Sequence, residues 1–251
     1  MRRPHRASHA ALALSLALCG CLDGPGITGP GPIGEGRRIL FVGNSYLYTQ
    51  HIPSIVVALA DSAGGDKLAA LTVAAPDVAL IDHWNSGVAT GEIRRGGWDW
   101  VVLQQGPSSV EVNRDSLRLV TALFAAEMAT VHARPALFSA WPQASRRQDF
   151  PRAIESYTLA AQDVDGVLLP VAAAWLAAWE RDATINLYAD GLHPSVEGAY
   201  LSALVIYARL LEKTPRGLPR ALKLSHGPVI SVSAARAALL QDAAAEVTGF
   251  P

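Results

Sequence analysis

Arg38-Ile39-Leu40-Phe41-Val42-Gly43-Asn44-Ser45-Tyr46 is an apolar run of strand length that stops abruptly in Gly-Asn-Ser. Four apolar residues in succession, with no polar alternation, suit a strand buried on both faces. A glycine at the end of such a strand lets the backbone turn sharply. The serine that follows is then left at the lip of a sheet rather than inside it. Taken alone, Gly-Asn-Ser is only a turn. Its meaning depends on what the rest of the chain brings to the same edge.

From Arg37 onward, short apolar runs alternate with stretches of helical periodicity. Ile39–Val42, Leu71–Ala74, Trp100–Leu103, Ala136–Ser139 and Val167–Leu169 read as strands. Leu117, Val120, Phe124, Met128 and Val131 recur at three- and four-residue steps, which places them on one helical face. Further helices are expected over Ile52–Ala63, Ala153–Ala161, Val171–Glu180, Val196–Leu211 and Ala234–Val247. Buried strands alternating with helices predict an α/β domain with a mainly parallel sheet covered on both faces. Sheets of this kind bind ligands beyond the carboxyl ends of their strands. Ser45, Gln104-Gln105-Gly106 and Trp141-Pro142-Gln143 each follow a strand, so all three groups are expected at one edge.

Far downstream, Asp190-Gly191-Leu192-His193-Pro194 sets a carboxylate and an imidazole three residues apart, just before a helix. A serine hydroxyl is a weak nucleophile unless a base takes its proton and a third group orients that base. Ser45, His193 and Asp190 fill those roles if both loops reach the same edge. Ser195 follows Pro194 as the expected N-cap of the next helix.

These two blocks together resemble the SGNH (GDSL-type) hydrolase superfamily. The resemblance implies a three-layer α/β/α sandwich with a mainly parallel, five-stranded, flavodoxin-like sheet. It also implies an esterase, lipase or carbohydrate acetylesterase that works through an acyl-enzyme without metal or cofactor. Its roles carry onto Ser45 as nucleophile, His193 as base and Asp190 as orienter. The chain lacks Gly-x-Ser-x-Gly, so the nucleophile elbow of the α/β-hydrolases is not the pattern.

The blocks between depart from the family, which draws an oxyanion hole from the nucleophile's N–H, a glycine N–H after the second strand and an asparagine after the third. After the second strand this chain reads Ala75-Pro76-Asp77-Val78. Pro76 has no N–H, which leaves Asp77 or a neighbour as donor. After the third it reads Gln104-Gln105-Gly106-Pro107-Ser108, with no asparagine. Gln104, Gln105 and Ser108 are the candidates there. Small acyl esters on carbohydrate, acetyl above all, are the expected substrates, with a short-chain lipase or thioesterase as rivals. A glycan-binding lipoprotein that keeps the cleft and lacks turnover is the alternative from another class.

Composition narrows the field. The chain has 251 residues, half of them hydrophobic, and a formal net charge of -1. That is enough for one sizeable core, assigned to residues 37–251, and it supplies no basic field for nucleic acid. Both cysteines, Cys19 and Cys21, precede the domain, which excludes a thiol nucleophile or thiolate metal site within it. No His-Glu-x-x-His or similar cluster is present, so no metal site is expected. Residues 1–21 read as a signal peptide: Arg2, Arg3 and Arg6, then the apolar Ala10–Leu18. Leu18-Cys19-Gly20-Cys21 resembles a bacterial lipobox, which implies export and lipidation at Cys21, with membrane attachment through that anchor. Ordinary cleavage leaving Cys21 free is the alternative. Residues 22–36, rich in Gly and Pro, read as an extended, mobile tether. Trp98, Trp100, Trp175 and Trp179 are expected to pack inside. Trp141, on the presumed active edge, is a candidate for stacking on a sugar. His51 and His83 are structural groups or line the cleft, and Glu180-Arg181-Asp182 is a solvated helix end.

Overall fold

The computed structural model describes residues 26–28, 36–64, 67–225 and 227–251. The leader, Cys21 and His226 lie outside the described residues. Strand β2 (Arg37–Gly43) has Ile39 to Val42 wholly buried, as expected of a strand covered on both sides. It pairs in parallel with β3 (Leu68–Ala74) on one side and β4 (Trp100–Leu103) on the other. Strands β5 (Arg134–Phe138) and β6 (Val167–Leu169) extend the parallel array from β4. The five parallel strands run in the order β3-β2-β4-β5-β6. That is the flavodoxin-type winding, and its order reverses between β2 and β4. Sheets wound this way bind ligands at that reversal, which here is where Ser45 and Gln104 leave the sheet.

Gly26–Thr28, inside the expected tether, forms a further edge strand, β1, antiparallel to β3, with Gly26 level with Ala74. An extended Gly/Pro-rich segment has no hydrophobic pattern to announce a strand, yet its main chain can still pair with an open sheet edge.

Helices cover both faces. On one side lie α2 (Ile52–Ser62), α7 (Val171–Arg181) and α8 (Val196–Leu211), with α9 (Ala234–Thr248) packed over α7 and α8. On the other lie α3 (Leu80–Ser86), α4 (Val88–Arg94), α5 (Glu111–Thr130) and α6 (Phe150–Gln162). Leu117, Val120, Phe124 and Met128 of α5 are wholly buried, as their spacing predicts. The seven-residue helices α3 and α4 have no counterpart in the sequence reading. They are too short to show a period, and Gly87, at φ +73°, ends one and starts the other. The hairpin of β7 (Ala221–Lys223) and β8 (Val229–Ser231) was likewise unforeseen, and it buries only Leu222 and Ile230. The helix end at 180–182 is not simply solvated: Arg181 pairs with Glu246, and Asp182 with Arg236.

Candidate active site

The turn that carries Ser45 begins at Gly43, the last residue of β2. Its φ is not positive, so the sharp-turn argument is not why glycine stands there. Space is the reason. A Cβ on Gly43 would lie 2.3 Å from Gln104 Oε1 and 2.7 Å from Leu47 Cδ1. Asn44 follows in an extended conformation and caps the single-turn helix α1 (Ser45–Tyr48), its Oδ1 accepting the Tyr46 N–H at 3.2 Å. Ser45 is thereby the first residue of a helix, half-exposed at the carboxyl edge of the sheet.

The second loop arrives at the same place. Asp190 Oδ1 accepts the N–H groups of Leu192 and His193 at 2.9 and 2.7 Å, an Asx turn made possible by Gly191 at φ +86°. Asp190 Oδ2 lies 2.7 Å from His193 Nδ1. Because a carboxylate only accepts, Nδ1 carries the proton and Nε2 presents its lone pair. His193 Nε2 is 3.0 Å from Ser45 Oγ, across 148 positions of sequence. The hydrogen bonds from His193 and from the two main-chain N–H groups hold the Asp190 carboxyl down at about 2. It is ionised wherever an imidazole can act as a base.

The loop is fixed from outside. Tyr188 bridges Pro194, the Ala189 N–H reaches His193 O at 2.9 Å, and the Ser195 N–H reaches Leu187 O at 2.8 Å. Ser195 Oγ caps α8 by accepting the Gly198 N–H. The segment after β5 supports it further. Trp141 Nε1 donates to Leu192 O at 2.9 Å, and the Ala144 N–H donates to Gly191 O at 2.8 Å. Trp141 is wholly buried, stacked between Tyr46 at 4.9 Å and Trp175 at 4.0 Å. It cannot stack on a sugar, and that expectation is corrected: the indole is a brace between the two loops. Tyr46 turns its edge to the His193 ring, and its burial raises the phenol so that it stays neutral.

The side-chain oxyanion candidates are also corrected. Gln104 is fully buried, and both its N–H groups are engaged, by Asn44 Oδ1 and Gln105 O. Gln105 Nε2 donates to Ser108 Oγ and Asn113 O, while its Oε1 accepts the Leu80 N–H. Ser108, at φ +54°, turns its hydroxyl back onto Gly106 O. None of the three has a free side-chain donor for the cleft. Asp77 is exposed, at φ +55°, and its N–H is unengaged among the described residues, as is that of Ser45. Asn44 Nδ2 donates to Val78 O at 3.0 Å, which ties the Asp77 turn to the Ser45 turn.

Two supports stand behind the turn: Tyr157, which the sequence reading did not single out, and His83, which takes the structural role that reading allowed it. The buried Tyr157 hydroxyl, on α6, accepts the Gln105 N–H at 3.0 Å and lies 2.8 and 3.0 Å from the carbonyls of Gln105 and Gly106. His83, wholly buried, brings Nε2 to 2.7 Å from Gly43 O and leaves Nδ1 without a partner among the described residues. Burial lowers its pKa, so it is a neutral donor to the Ser45 turn rather than a cleft residue. His51 stands half-exposed at the start of α2. Among the described residues, no three His, Cys, Asp or Glu side chains gather as a metal site, and no helix is long and apolar enough to cross a membrane.

No family model and no curated protein matches the sequence. Solved structures do match it. A protein from Slackia heliotrinireducens, named as a candidate SGNH hydrolase, is 24% identical and superposes with a TM-score of 0.59 over 70% of this chain and 99% of its own. The fold is that of the SGNH hydrolases. A DUF4886 family protein from Bacteroides uniformis superposes on this chain at a TM-score of 0.69, with 14% identity and coverage of 86% of this chain and 95% of its own. An acetylxylan esterase from Geobacillus stearothermophilus does so at 0.53, 15%, and 74% and 97%. Mutants of that esterase described as catalytic replace an aspartate, a histidine three positions later, and a serine.

Proposed function

We propose that the chain is a serine esterase of the SGNH type. The observation that carries this reading is the unbroken relay from Ser45 Oγ to His193 Nε2 at 3.0 Å and from His193 Nδ1 to Asp190 Oδ2 at 2.7 Å. Ser45 attacks the ester carbonyl as His193 takes the hydroxyl proton, and Asp190 holds the imidazole in the tautomer that can accept it. The main-chain N–H groups of Ser45 and Asp77 receive the charge that develops on the carbonyl oxygen. His193 returns its proton to the leaving alcohol. A water molecule, deprotonated by the same imidazole, then releases the acid from the acyl-enzyme.

Small acyl groups on carbohydrate, acetyl first, are the proposed substrates. The likeness to an acetylxylan esterase whose catalytic aspartate and histidine share the Asp-x-x-His spacing supports that class. Export and lipidation at Cys21 complete the proposal, on the lipobox-like Leu18-Cys19-Gly20-Cys21.

The engagement of every side-chain donor at Gln104, Gln105 and Ser108 favours one rival, a glycan-binding protein without turnover. Hydrolysis of p-nitrophenyl acetate, abolished by Ser45→Ala and by a serine-directed phosphonate, is the result expected of the esterase. No turnover on any ester together with glycan affinity would establish the binder. A screen of acetylated sugars against simple esters then fixes the substrate class. Loss of metabolic acyl labelling in Cys21→Ala checks the anchor.

A further inference from the structure

Gln104 sits one residue beyond β4 with no exposure to solvent, an unfavourable place for a carboxamide unless its polar atoms are paired. Its partners are specific. Oε1 accepts the Asn44 N–H at 2.9 Å, and Nε2 donates to Asn44 Oδ1 at 3.0 Å. The second N–H of Nε2 meets Gln105 O at 2.5 Å. Both polar ends of one side chain thus close on a single residue, the one immediately before Ser45. Asn44 passes the restraint on in two directions, to the Tyr46 N–H in α1 and to Val78 O in the loop that carries the Asp77 N–H. The close approach that keeps position 43 free of a side chain is an approach of this same carboxamide. The neighbouring Gln105 is equally buried, yet its carboxamide bonds Leu80, Ser108 and Asn113 and none of the nucleophile turn.

We propose that Gln104 is a positioning residue for the esterase reaction: its carboxamide fixes Asn44, and through Asn44 the directions of the Ser45 hydroxyl and the Ser45 N–H. This rests on Ser45 being the nucleophile. The Ser45 hydroxyl is restrained from one side by His193 and has no other hydrogen-bond partner among the described residues. Its backbone is therefore what sets its approach to a carbonyl carbon, and misplacement of a reacting group by about 1 Å can cost on the order of 10²-fold in rate.

Two variants of the purified chain, assayed on p-nitrophenyl acetate, test this. Gln104→Met keeps the shape and removes every hydrogen bond. Its kcat is expected to fall on the order of 10²-fold with KM within about threefold, and the phosphonate labelling rate should fall in parallel. Gln104→Glu adds a titration. As a neutral acid the side chain can still accept the Asn44 N–H and donate to Asn44 Oδ1. Ionised, it turns an acceptor toward Asn44 Oδ1 and Gln105 O. Burial raises such a carboxyl, so the ratio of variant to wild-type kcat should be greatest near pH 5.5 and fall about tenfold or more toward pH 8. A wild-type kcat in Gln104→Met, a loss confined to KM, or a pH-independent Glu ratio would overturn the assignment. If Gln104→Met does not fold, the Glu ratio decides alone. Ser45→Ala in the same assay separates the two levels. Undiminished activity there removes the nucleophile itself, whereas full dependence on Ser45 with indifference to Gln104 removes only this inference.

Discussion

The two halves of the site are built in opposite ways. The Ser45 turn is an interior structure: Gln104 and His83 are wholly buried, Asn44 nearly so, and each holds the turn through paired carboxamide, imidazole and main-chain groups. The Asp190–His193 loop is wet. Asp190 leaves 56% of its side chain exposed and His193 26%, and the geometry is kept by an Asx turn and by main-chain bonds to its flanks. The difference separates two tasks. Packing at atomic density fixes where the hydroxyl stands, while the imidazole is placed by its own loop and keeps contact with solvent.

The largest effects should fall on the groups that join the halves. Ser45→Ala is expected to bring p-nitrophenyl acetate turnover to background, a loss on the order of 10³–10⁶-fold, and His193→Ala should nearly match it because relay members act as a unit. An unaltered His193→Ala would mean that another histidine is the base. Asp190→Asn should cost roughly 10–100-fold less than either, since the base survives without its orienter.

Next in size is the buried half. Gly43→Ala forces a Cβ against Gln104 Oε1 and Leu47 Cδ1, so kcat should fall by about 10² and stability by roughly 1–3 kcal/mol. Chemical denaturation beside kinetics measures both. If Gly43→Ala lost stability alone, the turn would be structural and no more.

Acid unfolding contrasts the halves directly. His83 has a lowered folded-state pKa, so below the unfolded value of about 6.5 the unfolded chain takes up a proton that the folded chain refuses. Stability should therefore decline as pH falls from about 6.5 through that lowered value, and His83→Gln should flatten the slope. Asp190 works in another window. Its carboxyl is depressed to about 2, so its contribution is complete above the unfolded value of about 3.9 and is lost as pH falls through 2. Asp190→Asn should leave the slope between pH 6.5 and 4.5 as in the parent. Equal slopes in parent and His83→Gln would end the contrast. The smallest effect belongs to Asp77→Gly, which relieves a left-handed backbone and keeps the N–H. A gain of at most about 1 kcal/mol is expected, with activity within about twofold.

The strands and most long helices were legible because burial on one or two faces imposes a period on the chain. Ser45, His193 and Asp190 were legible because strand ends and an Asp-x-x-His turn are local patterns. Trp141 was misread for want of depth. A residue after a strand on the active edge can face the cleft or the core, and only packing against Tyr46 and Trp175 showed which. Gln104, Gln105 and Ser108 were misread for the same reason: sequence supplied donors but not the acceptors that claim them.

By itself the sequence determined a parallel α/β domain, the serine at its strand end and the carboxylate–imidazole pair before α8, because each is written within a few consecutive residues. Only the tertiary structure decided that these groups meet at 3.0 Å, that the glutamines face inward, and that His83 and Tyr157 stand behind the turn. Those facts depend on contacts between segments 40 to 148 positions apart, and hydrogen-bond partners at that range are set by how helices and sheet close on one another rather than by any neighbour along the chain.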